Sequence, residues 1–222
     1  MLKDSPKRLL VEGMADQAFY DACCRFAKLN QVWIGPPSDF QGVGTGKGNA
    51  IKILPDLIDE MGDERVTHLA IVVDADYFES DGLGFKDTWK KITDILEAKQ
   101  YDIRSQKITN TSGYIFKNKN SLPDVGLWIM PNNKDGGFLE NFIKQSLAAN
   151  EKKLFSHAEF TVNKLQDVRF KPIHVSKAEV STWLAWQKVP GQVLASAVSD
   201  SLIDLNSGVA KEFITWLKKI FK

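Results

Sequence analysis

A run of five apolar residues, Leu69–Val73, leads directly into two aspartates, Asp74 and Asp76. An apolar run this short predicts a strand that is buried on both faces, as in parallel sheets. Open α/β sheets bind their ligands just beyond the carboxyl ends of such strands. Two like charges so close together are costly unless a cation or a proton lies between them. The pattern therefore predicts a divalent-metal site at the end of this strand.

The order of elements around this run predicts an α/β fold. Strands and helices alternate in the first part of the chain: a strand at Arg8–Gly13, a helix at Met14–Leu29, a strand at Val32–Gly35, a helix at Ile51–Met61 and a strand at His68–Val73. This βαβαβ order is typical of a mostly parallel sheet flanked by helices.

The remaining elements are a polar loop, two strands and several helices. We expect a loop with the sequence YFESDGLGF, a helix at Lys86–Lys99, strands at Gly113–Lys117 and Val125–Met130, and helices at Phe138–Ala148, Val180–Gln187 and Val209–Phe221. Three tryptophans, Trp183, Trp186 and Trp216, lie at helical spacing and are expected to pack in the core. Residues 6–148 are predicted to form the α/β domain, and residues 149–222 a mainly helical C-terminal extension packed on the same fold.

Composition is that of a soluble globular protein: 43% of the 222 residues are hydrophobic and the net charge is +1. Overall charge therefore gives no sign of nucleic-acid binding. The N-terminus lacks the apolar core of a signal peptide, and no apolar run approaches the roughly 20 residues that cross a bilayer. The only cysteines, Cys23 and Cys24, are adjacent, as expected of two reduced thiols rather than a disulfide. We expect a cytoplasmic protein with no membrane contact.

Carboxylates from distant parts of the sequence are expected to meet at one edge of the sheet. Glu12 ends the first strand, Asp74 and Asp76 end the third, and Asp16 follows Glu12 by four residues. Hard oxygen ligands of this kind suit Mg²⁺ or Mn²⁺. The alternative is that Glu12 and Asp16 merely favour the positive end of a helix dipole, and that Asp74 is an ordinary N-cap.

Two short motifs carry a resemblance to a known family. The segments LLVEGMAD and LAIVVDAD resemble the two signature motifs of the Toprim domain, an α/β domain shared by topoisomerases, bacterial primases, recombination proteins and several small nucleases. The family's strand-end glutamate and glycine match Glu12 and Gly13, and its Asp-x-Asp matches Asp74 and Asp76. The resemblance covers roughly residues 6–145. It implies a Toprim-like fold and a metal-dependent reaction on nucleic acid.

A narrower resemblance adds two residues to the expected site. The segments LWIMPNNKDGGFLENFI and STWLAWQKVPG are similar to parts of small stand-alone prokaryotic Toprim-like proteins related to phage-defence nucleases. The resemblance implies that Glu140 is a further carboxylate near the metal. It also makes Lys177 a candidate cation for the scissile phosphate or the leaving oxygen. The alternatives are a glutamate favoured by the helix dipole and a solvated surface lysine.

The sequence differs from other Toprim proteins in ways that argue against several of their activities. The chain has no room for a topoisomerase's tyrosine domains and lacks a primase's zinc-binding cysteines, and an ATPase partner would be a separate chain. The glycine-rich GVGTGKG at 42–48 is not a Walker A loop, because position 41 is Gln and position 48 is Gly. Its Lys47 could hold a backbone phosphate, or the loop is only a mobile connection.

Three functions remain open. The first is a Toprim-type nuclease that cleaves DNA or RNA, with Glu12 as general base or metal ligand, Asp74 and Asp76 as ligands, Asp16 and Glu140 in support, and Lys177 stabilising charge. The second is a nucleotide-sugar transferase whose Asp-x-Asp binds Mn²⁺, which leaves Glu12-Gly13 unexplained. The third is a non-catalytic Toprim-fold binding module, which the near-neutral charge favours.

Overall fold

The computed structural model describes residues 5–40, 42–77 and 84–222. It has the predicted α/β architecture, a five-stranded sheet with helices on both faces. The strands are β1 (Lys7–Leu10), β2 (Val32–Gly35), β3 (His68–Asp74), β4 (Tyr114–Phe116) and β5 (Val125–Met130). Their order is β2-β1-β3-β5-β4, and only β4, at one edge, runs antiparallel to its neighbour.

Within the described residues, eight α-helices connect and cover these strands. They are α1 (Met14–Phe26), α2 (Lys47–Gly62), α3 (Gly84–Ala98), α4 (Leu139–Gln145), α5 (Lys152–Asn163), α6 (Val175–Ala185), α7 (Ser196–Ser199) and α8 (Gly208–Phe221). No helix within the described ranges is long and apolar enough to cross a membrane.

The central strand β3 is apolar along its length because helices cover both faces of the sheet. Leu69, Ile71 and Val73 face a core built with α2 and α3. Ala70 and Val72 face a second core, which contains α1 and the helices from α4 onward. Successive side chains of a strand point to opposite faces, so a strand covered twice has no polar side.

The C-terminal helices share a core with the sheet. Phe213 and Trp216 of α8 pack against Trp128 of β5, with ring centroids 5.1 and 5.6 Å apart. The indole nitrogen of Trp216 donates a hydrogen bond to the Tyr114 carbonyl at 2.9 Å. This part of the chain is helical and packs on the sheet; a domain division at residue 148 stays a prediction.

Several sequence-based expectations differ from the structure. Strand β1 ends at Leu10 rather than Gly13, so Glu12 lies two residues beyond the strand instead of ending it. Helix α2 begins at Lys47 rather than Ile51, so part of the expected glycine-rich loop is helical. Helix α6 begins at Val175 rather than Val180, which places Lys177 in its first turn. Trp186 follows the end of α6 and is 42% exposed, whereas Trp183 and Trp216 are buried as expected. Most of the predicted polar loop, residues 78–83, lies outside the described residues.

Close packing of α8 on the sheet predicts the effect of one substitution. A Cβ atom at Gly126 of β5 would lie 1.9 Å from Ile220 Cδ1 and 3.1 Å from both Ala70 Cβ and Trp216 Cζ2. Gly126→Val should therefore lower the free energy of unfolding by about 1–3 kcal/mol, despite the β-propensity of valine. Urea denaturation measures this.

The matched control is Gly48→Ala in α2, where an added Cβ meets nothing within 4 Å. This variant should be neutral or stabilised by up to about 1 kcal/mol. Equal stability of Gly126→Val and the wild type would contradict the observed docking of α8.

Candidate functional site

The ends of β1 and β3 are joined by a hydrogen bond between a backbone and a side chain. The ladder between these strands ends at Leu10 and Ile71, while β3 continues to Asp74. The Asp74 N–H donates to Glu12 Oε1 at 2.7 Å. Glu12 thus supplies the hydrogen-bond acceptor that the backbone of β1 no longer provides. Its carboxylate is held where the Asp-x-Asp segment begins.

The Asp-x-Asp segment is also held to the loop before α4. Asp76 and Gly137 exchange two backbone hydrogen bonds of 3.0 Å. The approach needs glycine, because a Cβ at Gly136 would lie 2.9 Å from the Asp76 carbonyl oxygen and Gly137 has a φ of +136°. The first turn of α4, which carries Glu140, is therefore placed beside the end of β3.

Helix α6 brings a cation to this edge. Lys177 Nζ lies 3.8 Å from Glu140 Oε1 and 4.5 Å from the centroid of the Phe138 ring. The Lys177 side chain is 43% exposed, whereas that of Glu140 is 13% exposed. Lys177 can therefore contact both Glu140 and a bound molecule.

A second lysine is buried beneath the Asp-x-Asp segment. Lys47 Nζ lies 2.5 Å from Asp76 Oδ2, and it donates hydrogen bonds of 3.1 Å to the carbonyls of Asp74 and Ala75. Its side chain is only 10% exposed. Rather than presenting a free phosphate ligand on a mobile loop, Lys47 neutralises Asp76 and fixes the backbone on both sides of Ala75.

Electrostatics identify the members of the acidic cluster, which we define as Glu12, Asp16, Asp74 and Glu140. Burial, and then the charges of Glu12, Asp16 and Glu140, raise the pKa of Asp74 well above its usual range. Burial raises the pKa of Glu12 to about 7, against the hydrogen bond from Asp74. Burial and then the charge of Glu140 also raise the pKa of Asp16, while Lys177 lowers it.

The structure places the six sequence-predicted residues in two groups. Glu12, Asp16, Asp74 and Glu140 lie within electrostatic reach of one another, with Lys177 beside them. The sixth, Asp76, is paired with Lys47, although its charge still acts on Glu12.

The donor chemistry of the acidic cluster fits a hard divalent cation. Carboxylates whose pKa values are raised by burial and mutual repulsion are relieved by a cation as well as by protons. Among the described residues, no three His, Cys, Asp or Glu side chains stand in a metal-ligand arrangement. Mg²⁺ commonly binds through only one or two carboxylates and keeps several waters, so the residues present fit such an ion in chemistry.

Two features of the site were not expected from the sequence. The pairing of Lys47 with Asp76 had one usable signal, a lysine directly after a glycine-rich turn and before an apolar helical pattern. The aromatic contacts had none: the Phe138 ring lies 5.4 Å from that of Tyr77 and 6.1 Å from that of His174. These three rings come from separate elements and border the acidic cluster.

The raised pKa of Glu12 predicts a pH-dependent stability difference. The folded-state pKa of about 7 exceeds the ordinary 4.5, so protonated Glu12 stabilises the fold fully below pH 4.5, and this contribution is lost as pH rises through 7. The side chain of Glu12→Gln stays neutral at every pH. Without metal, the free energy of unfolding of this variant relative to wild type should therefore increase by roughly 1–3 kcal/mol from about pH 5 to about pH 8.

Urea denaturation in EDTA at both pH values measures this difference. Glu97→Gln, at an exposed position of α3, is the matched control and should show no such trend. A constant difference between Glu12→Gln and wild type at both pH values would contradict the assignment.

Comparison with known proteins gives a family without an assigned activity. No curated protein and no solved structure is similar enough to the chain to count as a match. A family described as a protein of unknown function, DUF3226, matches residues 6–222. That match includes the sheet, the acidic cluster and all the C-terminal helices. The chain therefore belongs to the DUF3226 family.

Proposed function

We propose that this protein is a metal-dependent enzyme that cleaves phosphodiester bonds in nucleic acid, of the Toprim type. One observation carries the proposal: Asp16 of α1, Asp74 of β3, Glu140 of α4 and Glu12, just after β1, form one acidic cluster with an accessible lysine beside it. A cytoplasmic location, a DNA or RNA substrate and a separate ATPase or other protein partner belong to the same proposal.

The burial and charge of each residue indicate its role in the proposed reaction. Asp74 would bind Mg²⁺ or Mn²⁺, with Asp16 and Glu140 as supporting carboxylates, and the ion would supply charge stabilisation to a phosphodiester when bound. Glu12, with a pKa near 7, can accept and release a proton at neutral pH and would act as general base. Lys177 extends from the cluster towards solvent and would stabilise charge on the leaving oxygen. Lys47 keeps the Asp-x-Asp backbone in place.

The two alternative functions, a nucleotide-sugar transferase and a binding module, are each supported by fewer features of the site. A nucleotide-sugar transferase would bind Mn²⁺ through the Asp-x-Asp, in which Asp76 is paired with Lys47. Such an enzyme also gives Glu12 no role, although Glu12 is bonded to Asp74. A binding module is favoured by one observation, the lack of a three-ligand arrangement within the described residues.

Loss of one carboxylate should abolish cleavage. We expect wild-type protein to cut labelled DNA, structured RNA or tRNA with Mg²⁺ or Mn²⁺ and to be inactive in EDTA. Asp74→Asn should reduce the rate by more than the roughly 10- to 100-fold that an outer-shell partner costs. The same variant should lose the increase in melting temperature that Mn²⁺ gives the wild type.

The matched control for this assay is Asp56→Asn, at an exposed position of α2. It should keep both cleavage and the response to Mn²⁺. Hydrolysis of a nucleotide sugar without strand cleavage would replace the proposal by the transferase. Mn²⁺ binding with no cleavage of any substrate would replace it by the binding module.

Lys177 should affect the reaction but not stability. A half-exposed pair of 3.8 Å contributes at most about 1 kcal/mol to folding. Removing a cation that stabilises developing charge costs about 10²-fold in rate. Lys177→Gln should therefore lower kcat with an unchanged melting temperature and Mn²⁺ affinity, and Lys177→Arg should restore part of the rate. Lys188→Gln, exposed beyond the end of α6, is the control; unchanged kcat in Lys177→Gln would exclude this role.

A further inference from the structure

The last turn of α5 and the segment that joins it to α6 carry cations and exposed apolar side chains together. We define the basic strip as Phe160–Lys171. Its cations Lys164, Arg169 and Lys171 are all exposed, and so is its acid at Asp167. Three of its apolar side chains are exposed too: Phe160 by 64%, Leu165 by 49% and Val168 by 50%. Exposed apolar side chains grouped among cations point to a partner that is both apolar and anionic.

The cations of the basic strip are not neutralised within the fold. Among the described residues, none of Lys164, Arg169 and Lys171 forms an ion pair, and Lys164 lies over the Phe160 ring at 5.6 Å. Nearby Lys144 behaves differently, since it pairs with Glu159 at 3.1 Å and with Glu179 at 2.5 Å. The positive charge of the strip is therefore available to a ligand.

The basic strip leads into the acidic cluster. It ends at a 3₁₀ turn, Pro172–His174, which continues directly into α6. The His174 ring lies 6.1 Å from that of Phe138, and Lys177 in the next turn lies 3.8 Å from Glu140. A ligand that follows the strip towards α6 therefore reaches the carboxylates.

A cleft lies beside this turn. It encloses about 450 Å³ and is lined by residues that include Tyr77, Lys144, Ile173 and Ser176. Two of the lining residues, Asn141 and Ser176, adjoin Glu140 and Lys177 in the sequence, so the cleft lies near the acidic cluster. Its volume falls within the range of sites for small organic groups, roughly 300–1,000 Å³. The cleft is therefore large enough for a nucleobase.

We propose that the basic strip binds single-stranded nucleic acid and guides it to the acidic cluster. This inference rests on the proposed function and adds the form of the substrate. Phosphates pair with Lys164, Arg169 and Lys171, while unpaired bases pack on Phe160 and the other exposed apolar side chains. A duplex keeps its bases stacked inside and leaves these apolar side chains without a partner.

Binding in EDTA tests this inference separately from cleavage. Fluorescence anisotropy of a labelled oligonucleotide of about 15 nucleotides, roughly one binding-site length, gives the affinity in single-stranded and duplex form. In an Asp74→Asn background, the triple variant K164Q/R169Q/K171Q should bind the single strand about tenfold more weakly or worse. The slope of log affinity against log salt should fall by about 2, since each phosphate contact contributes about 0.7.

The matched control removes the same charge elsewhere. K52Q/K91Q/K119Q changes three exposed lysines on α2, on α3 and after β4, and it should keep the affinity within about twofold and the salt slope unchanged. Phe160→Ala should weaken single-strand binding roughly fivefold or more without changing the slope, because stacking carries no charge.

The inference would be overturned by equal binding of duplex and single strand, by equal loss of affinity in the control variant, or by binding to phosphatidylserine vesicles but not to the oligonucleotide. Failure of the wild type to cleave would leave it standing, because binding is measured without metal. If the wild type cleaves and the triple variant binds as tightly as its parent, the role of the basic strip would be overturned while the proposed nuclease activity would stand.

Discussion

The hydrogen bond from the Asp74 N–H to Glu12 Oε1 sets the geometry of the whole sheet edge. Strand β3 extends beyond the last residue of β1, so its backbone needs an acceptor at a point where the ladder has ended. A side chain that fills this place must come from the residues just after β1. The same bond fixes Glu12 against Asp74, and it places two carboxylates together before any ligand arrives.

Two lysines then act on this edge in different ways because of their burial. Lys47 is enclosed and bonded to two carbonyls as well as to Asp76, so its position is fixed by the fold. Lys177 lies near Glu140 and over the Phe138 ring, and its side chain is still 43% exposed. One cation thus supports the Asp-x-Asp backbone, while the other remains free to respond to a ligand. Of the two aspartates, only Asp74 is left in the acidic cluster.

The sequence predicts the sheet well because a strand that is buried on both faces appears as a short, uninterrupted run of apolar residues. Strands β2 and β5 have the expected limits, and β3 ends at Asp74 as its apolar run predicts. Strand β1 ends earlier than predicted, at Leu10, yet Glu12 still lies beside Asp74 because the two strands are parallel neighbours. Helix starts were predicted less well. Helix α2 begins among glycines and α6 begins within a polar segment, and neither start shows the apolar periodicity from which helices are read. The partner of Lys47 depends on that first turn and was therefore missed.

The acidic cluster has an energetic consequence for the fold. Each raised pKa means that ionised carboxylates at this edge oppose folding at neutral pH. Net stabilities of proteins are only about 5–15 kcal/mol, so such a cost persists only where the surroundings hold the groups in place. Here the surroundings are extensive: buried side chains of both cores reach the strands that end at the site. A cation would relieve the same repulsion that the fold tolerates, so metal binding and stability should be coupled at this edge.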